Sequence, residues 1–254
     1  MSNVTNATNL TTATPTTVVW TFDPLTSGGV SGNITTVVGA ASTAIQANLD
    51  LTGANWTALV ANEGNCSINT PPTSFSWHIH TVWKNAKSSG FLGDCSLANA
   101  GNHYDPTYAC GPNSEFIKDP KCAGATYNCT PALYAANASV CEKGDLSGHV
   151  GKMTATGGKI AATWTDKPNY PTVDEHNLKT WNIMLHAVCG STTPRFVCAQ
   201  GTIVSSDKGL PSTTYAPTVA GATTAAPSTT AKPSSAVKLS VVSVASLAIL
   251  SMLF

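Results

Sequence analysis

Two histidines one residue apart, His78 and His80, carry the clearest chemical signal in this 254-residue chain. They lie in Ser74-Phe75-Ser76-Trp77-His78-Ile79-His80-Thr81-Val82-Trp83, a run of aromatic and β-branched residues that reads as a strand. On a strand, residues i and i+2 share a face, roughly 6.6 Å apart along the backbone. Two imidazoles in that register can converge on one metal ion, although two solvent-facing histidines would give the same pattern. The chain has six histidines in all. His103 lies in Gly101-Asn102-His103-Tyr104-Asp105-Pro106 and His186 in the strand-like run Trp181-Asn182-Ile183-Met184-Leu185-His186-Ala187-Val188.

The elements available to position these side chains are short β-rich runs broken by Gly, Asn, Asp and Pro. They fall at 17–22, 32–38, 44–51, 57–61, 74–82, 151–156, 159–165, 180–188 and 196–204, within a folded domain spanning residues 17–204. No segment carries a sustained helical period, and strands spaced this way indicate an all-β sandwich or barrel. Between Lys84 and Gly148 the pattern stops. A connection that long inside a compact domain is usually functional. It holds Cys95, Cys110, Cys122, Cys129 and Cys141, five of the eight cysteines. Disulfides are the expected reason it is ordered; a zinc site of four cysteines is the alternative, although the chain has no Cys-x-x-Cys.

Composition narrows the class. Charged residues are 10% of the chain and the formal net charge is zero, so nothing attracts nucleic acid or an anionic membrane surface. An even cysteine count fits an oxidising compartment, as do eight Asn-x-Ser/Thr sequons, at Asn3, Asn6, Asn9, Asn33, Asn55, Asn65, Asn128 and Asn137. Residues 205–238 are rich in Ser, Thr, Pro and Ala, a composition that builds no core and reads as an O-glycosylated stalk. Residues 239–254 are apolar, and sixteen residues are short for a spanning helix, which needs about 20. Small residues, polar spacer and apolar tail together read as a GPI-anchor signal, with cleavage expected among the small residues from Gly221 to Ala236; a transmembrane helix is the alternative. The polar segment 1–16 has neither a basic nor an apolar signal region. The expectation is a surface protein whose signal peptide lies outside this sequence.

Taken in order, His-x-His, Cys95, Gly-x-His-x-x-Pro, Gly144-Asp145-Leu146, a strand histidine and Arg195-Phe196-Val197-Cys198 resemble the copper/zinc superoxide dismutase family over roughly residues 17–204. The resemblance implies an eight-stranded Greek-key β-barrel. It implies that His78, His80, His103 and His186 hold one copper ion, and four imidazoles suit Cu(II). It pairs Cys95 with Cys198, a closure worth about 4–5 kcal/mol in the chain-entropy model. Arg195 would attract the superoxide anion and His103 would share in proton delivery.

The departures from the bimetallic pattern narrow the resemblance to the copper-only, GPI-anchored extracellular superoxide dismutases of fungi. No histidine lies between His103 and Asp145, so no zinc is expected. Asp145 stands in the family's aspartate position. Glu142 stands where the last zinc-binding histidine would be, and the resemblance has it orient His103, fixing its tautomer. The structural alternative for both acids is loop capping. Only eight residues separate His186 from Arg195, and none is charged. The copper is therefore expected to be open, with Arg195 as the main local attraction and a weak salt dependence. Cys66 is the expected partner of Cys189. His149 and His176 match no motif position and are expected at the surface. The favoured activity is superoxide dismutation by a monomer; the competing reading is a non-catalytic copper-binding or surface protein on the same scaffold, which would have no need of Arg195.

Overall fold

A computed structural model describes residues 15–204 except residue 168. The sequons at Asn3, Asn6 and Asn9, the 205–238 stalk and the 239–254 tail lie outside the described residues. Nine strands are present among the described residues: β1 (Thr16–Phe22), β2 (Ser31–Val38), β3 (Thr43–Asp50), β4 (Ser74–His80), β5 (Ser89–Phe91), β6 (Met153–Thr154), β7 (Lys159–Asp166), β8 (Asn182–Ala187) and β9 (Arg195–Val204). Their hydrogen-bonded order is β6-β4-β8-β9-β1-β2-β3-β7, with β5 added to β9. A turn bridged by Thr156 and Lys159 links β6 to β7, the two ends of that order, so the sheet is a nearly closed eight-stranded antiparallel barrel. β3 pairs with β7 and β4 with β8 across non-consecutive positions, the crossovers of a Greek key.

Alternation builds the barrel wall. In β3, Ile45, Ala47 and Leu49 are buried while Ala44, Gln46 and Asn48 are exposed, as the two-residue strand period requires. Trp20, Phe22, Phe75, Trp77 and Phe196 are fully buried. Phe196 lies at the centre of an aromatic group, with ring centroids of Trp56 at 5.1 Å, Phe91 at 5.8 Å and Phe75 at 5.9 Å; truncating such a ring costs about 3–5 kcal/mol. The ten-residue β9 serves both sides of the barrel: its first half pairs with β5 and β8, and residues 201–204 pair with β1.

Two expected strands differ. Residues 57–61 lie in a helix, α1 (Trp56–Asn62), because the Asn55 side chain accepts a hydrogen bond from the Ala58 N–H and starts a helical turn. The strand expected at 151–156 is reduced to Met153–Thr154, because Gly151, at φ 94°, terminates a short helix, α2 (Leu146–Val150).

The long connection lies over the outer face of β4 and β8, which explains why every residue of β8 is buried. Ile183, Leu185 and Ala187 face the barrel core, while Met184 packs with Cys95, Ala100, Cys198 and the half-buried Trp83 in a second, smaller apolar cluster. All eight cysteines are paired, as Cys66–Cys189, Cys95–Cys198, Cys110–Cys122 and Cys129–Cys141. The four-cysteine zinc alternative is thereby removed.

Candidate metal centre

Strand register puts three histidines on one surface. Phe75, Trp77 and Ile79 turn into the barrel core, so His78 and His80 turn outward, beneath the connection. β8 contributes His186 from the neighbouring strand. A β-bulge there sets His186 opposite Arg195 and leaves Phe196 free to enter the core; bulges re-aim side chains in this way.

The fourth histidine arrives on the connection. The His103 N–H donates to the Asn113 carbonyl at 2.8 Å, and its carbonyl accepts from the Glu115 N–H at 3.0 Å. Asp105 holds the intervening loop: fully buried, it accepts from the Ala109 N–H, the Cys110 N–H and the Ser114 hydroxyl, each at 2.8 Å. A backbone zip joins the connection to β4, where the Ile79 N–H donates to the Gly144 carbonyl and the Tyr104 N–H to the Ile79 carbonyl. A Cβ at residue 144 would fall 2.6 Å from the Ile79 carbonyl oxygen, so only glycine permits that approach.

One nitrogen from each of His78, His80, His103 and His186 lies within 4.8 Å of the other three. Which nitrogen points inward follows from what holds the other. His80 Nδ1 donates to the Gly101 carbonyl at 2.9 Å, and His186 Nδ1 to the Thr193 carbonyl at 3.0 Å. His103 Nδ1 donates to Glu142 Oε2 at 2.6 Å. His78 Nε2 lies 3.5 Å from Asp145 Oδ1. Each imidazole therefore carries its proton on the outer nitrogen and turns a lone pair inward. His80 Nε2 and His186 Nε2 face each other at 3.5 Å, and His78 Nδ1 and His103 Nε2 are buried without a hydrogen-bond partner. Buried orphan nitrogens are costly. Convergent lone pairs with outer N–H groups locked by oxygen acceptors form a ligand set for a cation.

The electrostatics agree. Burial, followed by the neighbouring imidazoles, holds His78 and His80 well below the usual histidine range, and burial lowers His186 to about 3. These three rings thus favour the neutral form, as metal ligation requires. Burial pushes the Glu142 carboxyl upward, against the opposing pull of His103. Three of the rings are buried and His78 is partly exposed, so the cluster is more enclosed than the short loop after His186 led one to expect. Arg195 donates to the carbonyls of Cys95 at 3.0 Å and Gly101 at 2.8 Å, and lies 3.4 Å from Asn102 Oδ1.

Glu142 holds His103 as expected. Asp145 caps α2 through the Gly148 N–H at 2.9 Å, the alternative considered for it, and the same Oδ1 lies 3.5 Å from His78 Nε2. His149 and His176 depart from the surface positions expected. His149 is buried, with Nδ1 2.8 Å from Asp166 Oδ2, Nε2 donating to the Glu142 carbonyl at 2.9 Å, and its ring stacked on Tyr134. His176 is half-buried between Tyr170 and Trp181. Sequence spacing also passed over Tyr127, whose phenol touches both acids behind the histidines; no motif marks it.

No family model and no curated protein matches the chain. Solved structures do, and two of them illustrate the likeness. The Cu(II) form of Candida albicans superoxide dismutase 5 is 17% identical with a TM-score of 0.46, covering 77% of this chain and 96% of that one. An aspartate-to-asparagine mutant of the same protein is 17% identical with a TM-score of 0.44, covering 76% and 96%.

Proposed function

We propose that this chain is an extracellular copper-only superoxide dismutase, holding one copper ion on His78 Nδ1, His80 Nε2, His103 Nε2 and His186 Nε2. The observation that carries the reading is the convergence of these four nitrogens, with the outer nitrogens of His80, His103 and His186 hydrogen-bonded to oxygens and that of His78 facing Asp145 at 3.5 Å. Copper, when bound, would supply a one-electron Cu(II)/Cu(I) couple, the chemistry that converts two superoxide anions and two protons into dioxygen and hydrogen peroxide.

The chain supplies the rest. Arg195, fixed by backbone carbonyls beside the cluster, provides the positive charge that draws in the anion. His103 is hydrogen-bonded to a carboxylate at 2.6 Å, so its Nε2, when released from the metal, would be the atom suited to hold and deliver a proton while Glu142 keeps the ring in place. Glu142 and Asp145 are already engaged by His103, His78, Tyr127 and a helix cap, which leaves them poorly disposed to bind zinc. Four disulfides suit an oxidising compartment. Anchoring through a GPI lipid attached near the 239–254 tail would hold the enzyme at the membrane or wall.

Metal analysis together with a dismutation assay tests the reading. One copper and no zinc per chain, with activity lost in His80→Ala, is the expected result. A full complement of zinc would overturn the copper-only reading. Copper uptake without dismutation would leave a copper-binding protein in its place.

A further inference from the structure

Glu142 and Asp145 each support a histidine, yet neither holds itself in place. The Tyr127 hydroxyl meets both. It donates to Asp145 Oδ2 at 2.7 Å and accepts from the Glu142 backbone N–H at 3.2 Å. The Glu142 carbonyl, on the other side, accepts from His149 Nε2 at 2.9 Å and from the Asp145 N–H at 3.0 Å. Glu142 is thus gripped at both backbone polar atoms while its carboxylate reaches His103. The Cys129–Cys141 disulfide lies two residues after Tyr127 and one before Glu142, tying the two segments together covalently.

We infer that Tyr127 is a positioning residue for the metal centre, one hydroxyl setting the orientation of His78 through Asp145 and of His103 through Glu142. The phenol suits the task because it donates and accepts from a single atom. Burial, reinforced by the two adjacent carboxylates, pushes its ionisation far up, so the donated proton stays in place at working pH. Phenylalanine would keep the ring and remove only the oxygen. Asp145 would then lose its phenolic donor while keeping the Gly148 cap, and the Glu142 N–H would lose its acceptor, so two of the four imidazoles would lose their fixed setting together.

The inference rests on the proposed metal site but not on dismutation, and its readouts are chosen accordingly. Tyr127→Phe in the full chain, loaded with Cu(II), is expected to bind copper about tenfold more weakly, the low end of what losing an outer-shell partner does. Its Cu(II) electron paramagnetic resonance signal is expected to change and broaden. The Glu142 amide is expected to lose hydrogen-exchange protection while core amides such as Ile34 keep theirs. Unchanged copper affinity and an unchanged Cu(II) signal, with only a lower melting temperature, would overturn the inference and leave Tyr127 a structural residue. Should the variant fail to fold, exchange in the unsubstituted protein decides: a Glu142 amide that exchanges freely overturns the clamp, and a protected one sustains it. Failure of the unsubstituted chain to bind copper at all would count against the proposed function instead, which keeps the two failures apart.

Discussion

The sharpest test away from the metal is His149→Ala. His149 and Asp166 are both fully buried, and the two ring nitrogens meet Asp166 Oδ2 at 2.8 Å and the Glu142 carbonyl at 2.9 Å. Truncation leaves the Asp166 carboxylate in the interior with the Tyr134 hydroxyl, at 2.6 Å, as its remaining side-chain partner. Leaving a buried carboxylate without its partner costs about 3–5 kcal/mol. For a domain of this size each kcal/mol moves the melting midpoint by about 2–4 °C, so a fall of roughly 6–20 °C is expected. A surface histidine would change stability by no more than about 0.5 kcal/mol. Calorimetry on the metal-free, disulfide-intact protein at neutral pH measures the shift, and a double-mutant cycle with Asp166→Ala assigns it to the pair. A midpoint shift below about 2 °C, or a coupling energy near zero, would refute the reasoning.

The metal-free protein should lose stability in acid. The folded-state values of His78, His80 and His186 are depressed, so the unfolded chain takes up protons that the folded one refuses. Stability is therefore full above about pH 6.5 and falls from there down to about 3, by up to about 1.4 kcal/mol per pH unit for each histidine; equal urea midpoints at pH 7.5 and pH 5 would contradict this. Arg195→Ala should slow superoxide consumption about fivefold, the worth of roughly 1 kcal/mol for a unit charge about 4 Å away in water, and should flatten what salt dependence exists, as pulse-radiolysis rates across ionic strengths would show. Asp105→Asn places an amide against three buried donors and should cost about 1–3 kcal/mol; copper affinity should fall with it because that loop pins His103, and isothermal titration against the parent protein checks both.

Much of this was readable from residue order because the barrel obeys simple periodicity. β1, β2, β3 and β7 alternate cleanly, and β8 carries the apolar run Ile183-Met184-Leu185 of a strand covered on both faces. α1 was misread because seven residues barely make two turns, too few for a helical period to stand out from a short apolar strand. β5 went unseen because Ser89-Gly90-Phe91 has little strand propensity of its own and takes its form from pairing with β9. The histidine quartet and the Cys95–Cys198 bridge were implied by the family resemblance that the motif order carries. Tyr127 and His149 did not: their importance lies in which backbone atoms they meet, and those meetings are made by the folding of the long connection, which spacing does not encode.

The Gly101 carbonyl has one further consequence. A single oxygen accepts from both His80 Nδ1 and the Arg195 guanidinium. Electron density drawn toward the cation is density withheld from the imidazole, so the pull on an incoming anion and the donor strength of a ligand are wired in series. Gly101 sits at φ 75°, and a Cβ there would fall 2.7 Å from the Val82 side chain, so the shared oxygen has little room to drift. A substitution meant to alter only attraction at Arg195 should therefore also shift the potential of whatever metal His80 holds, and the two properties cannot be adjusted independently in this scaffold.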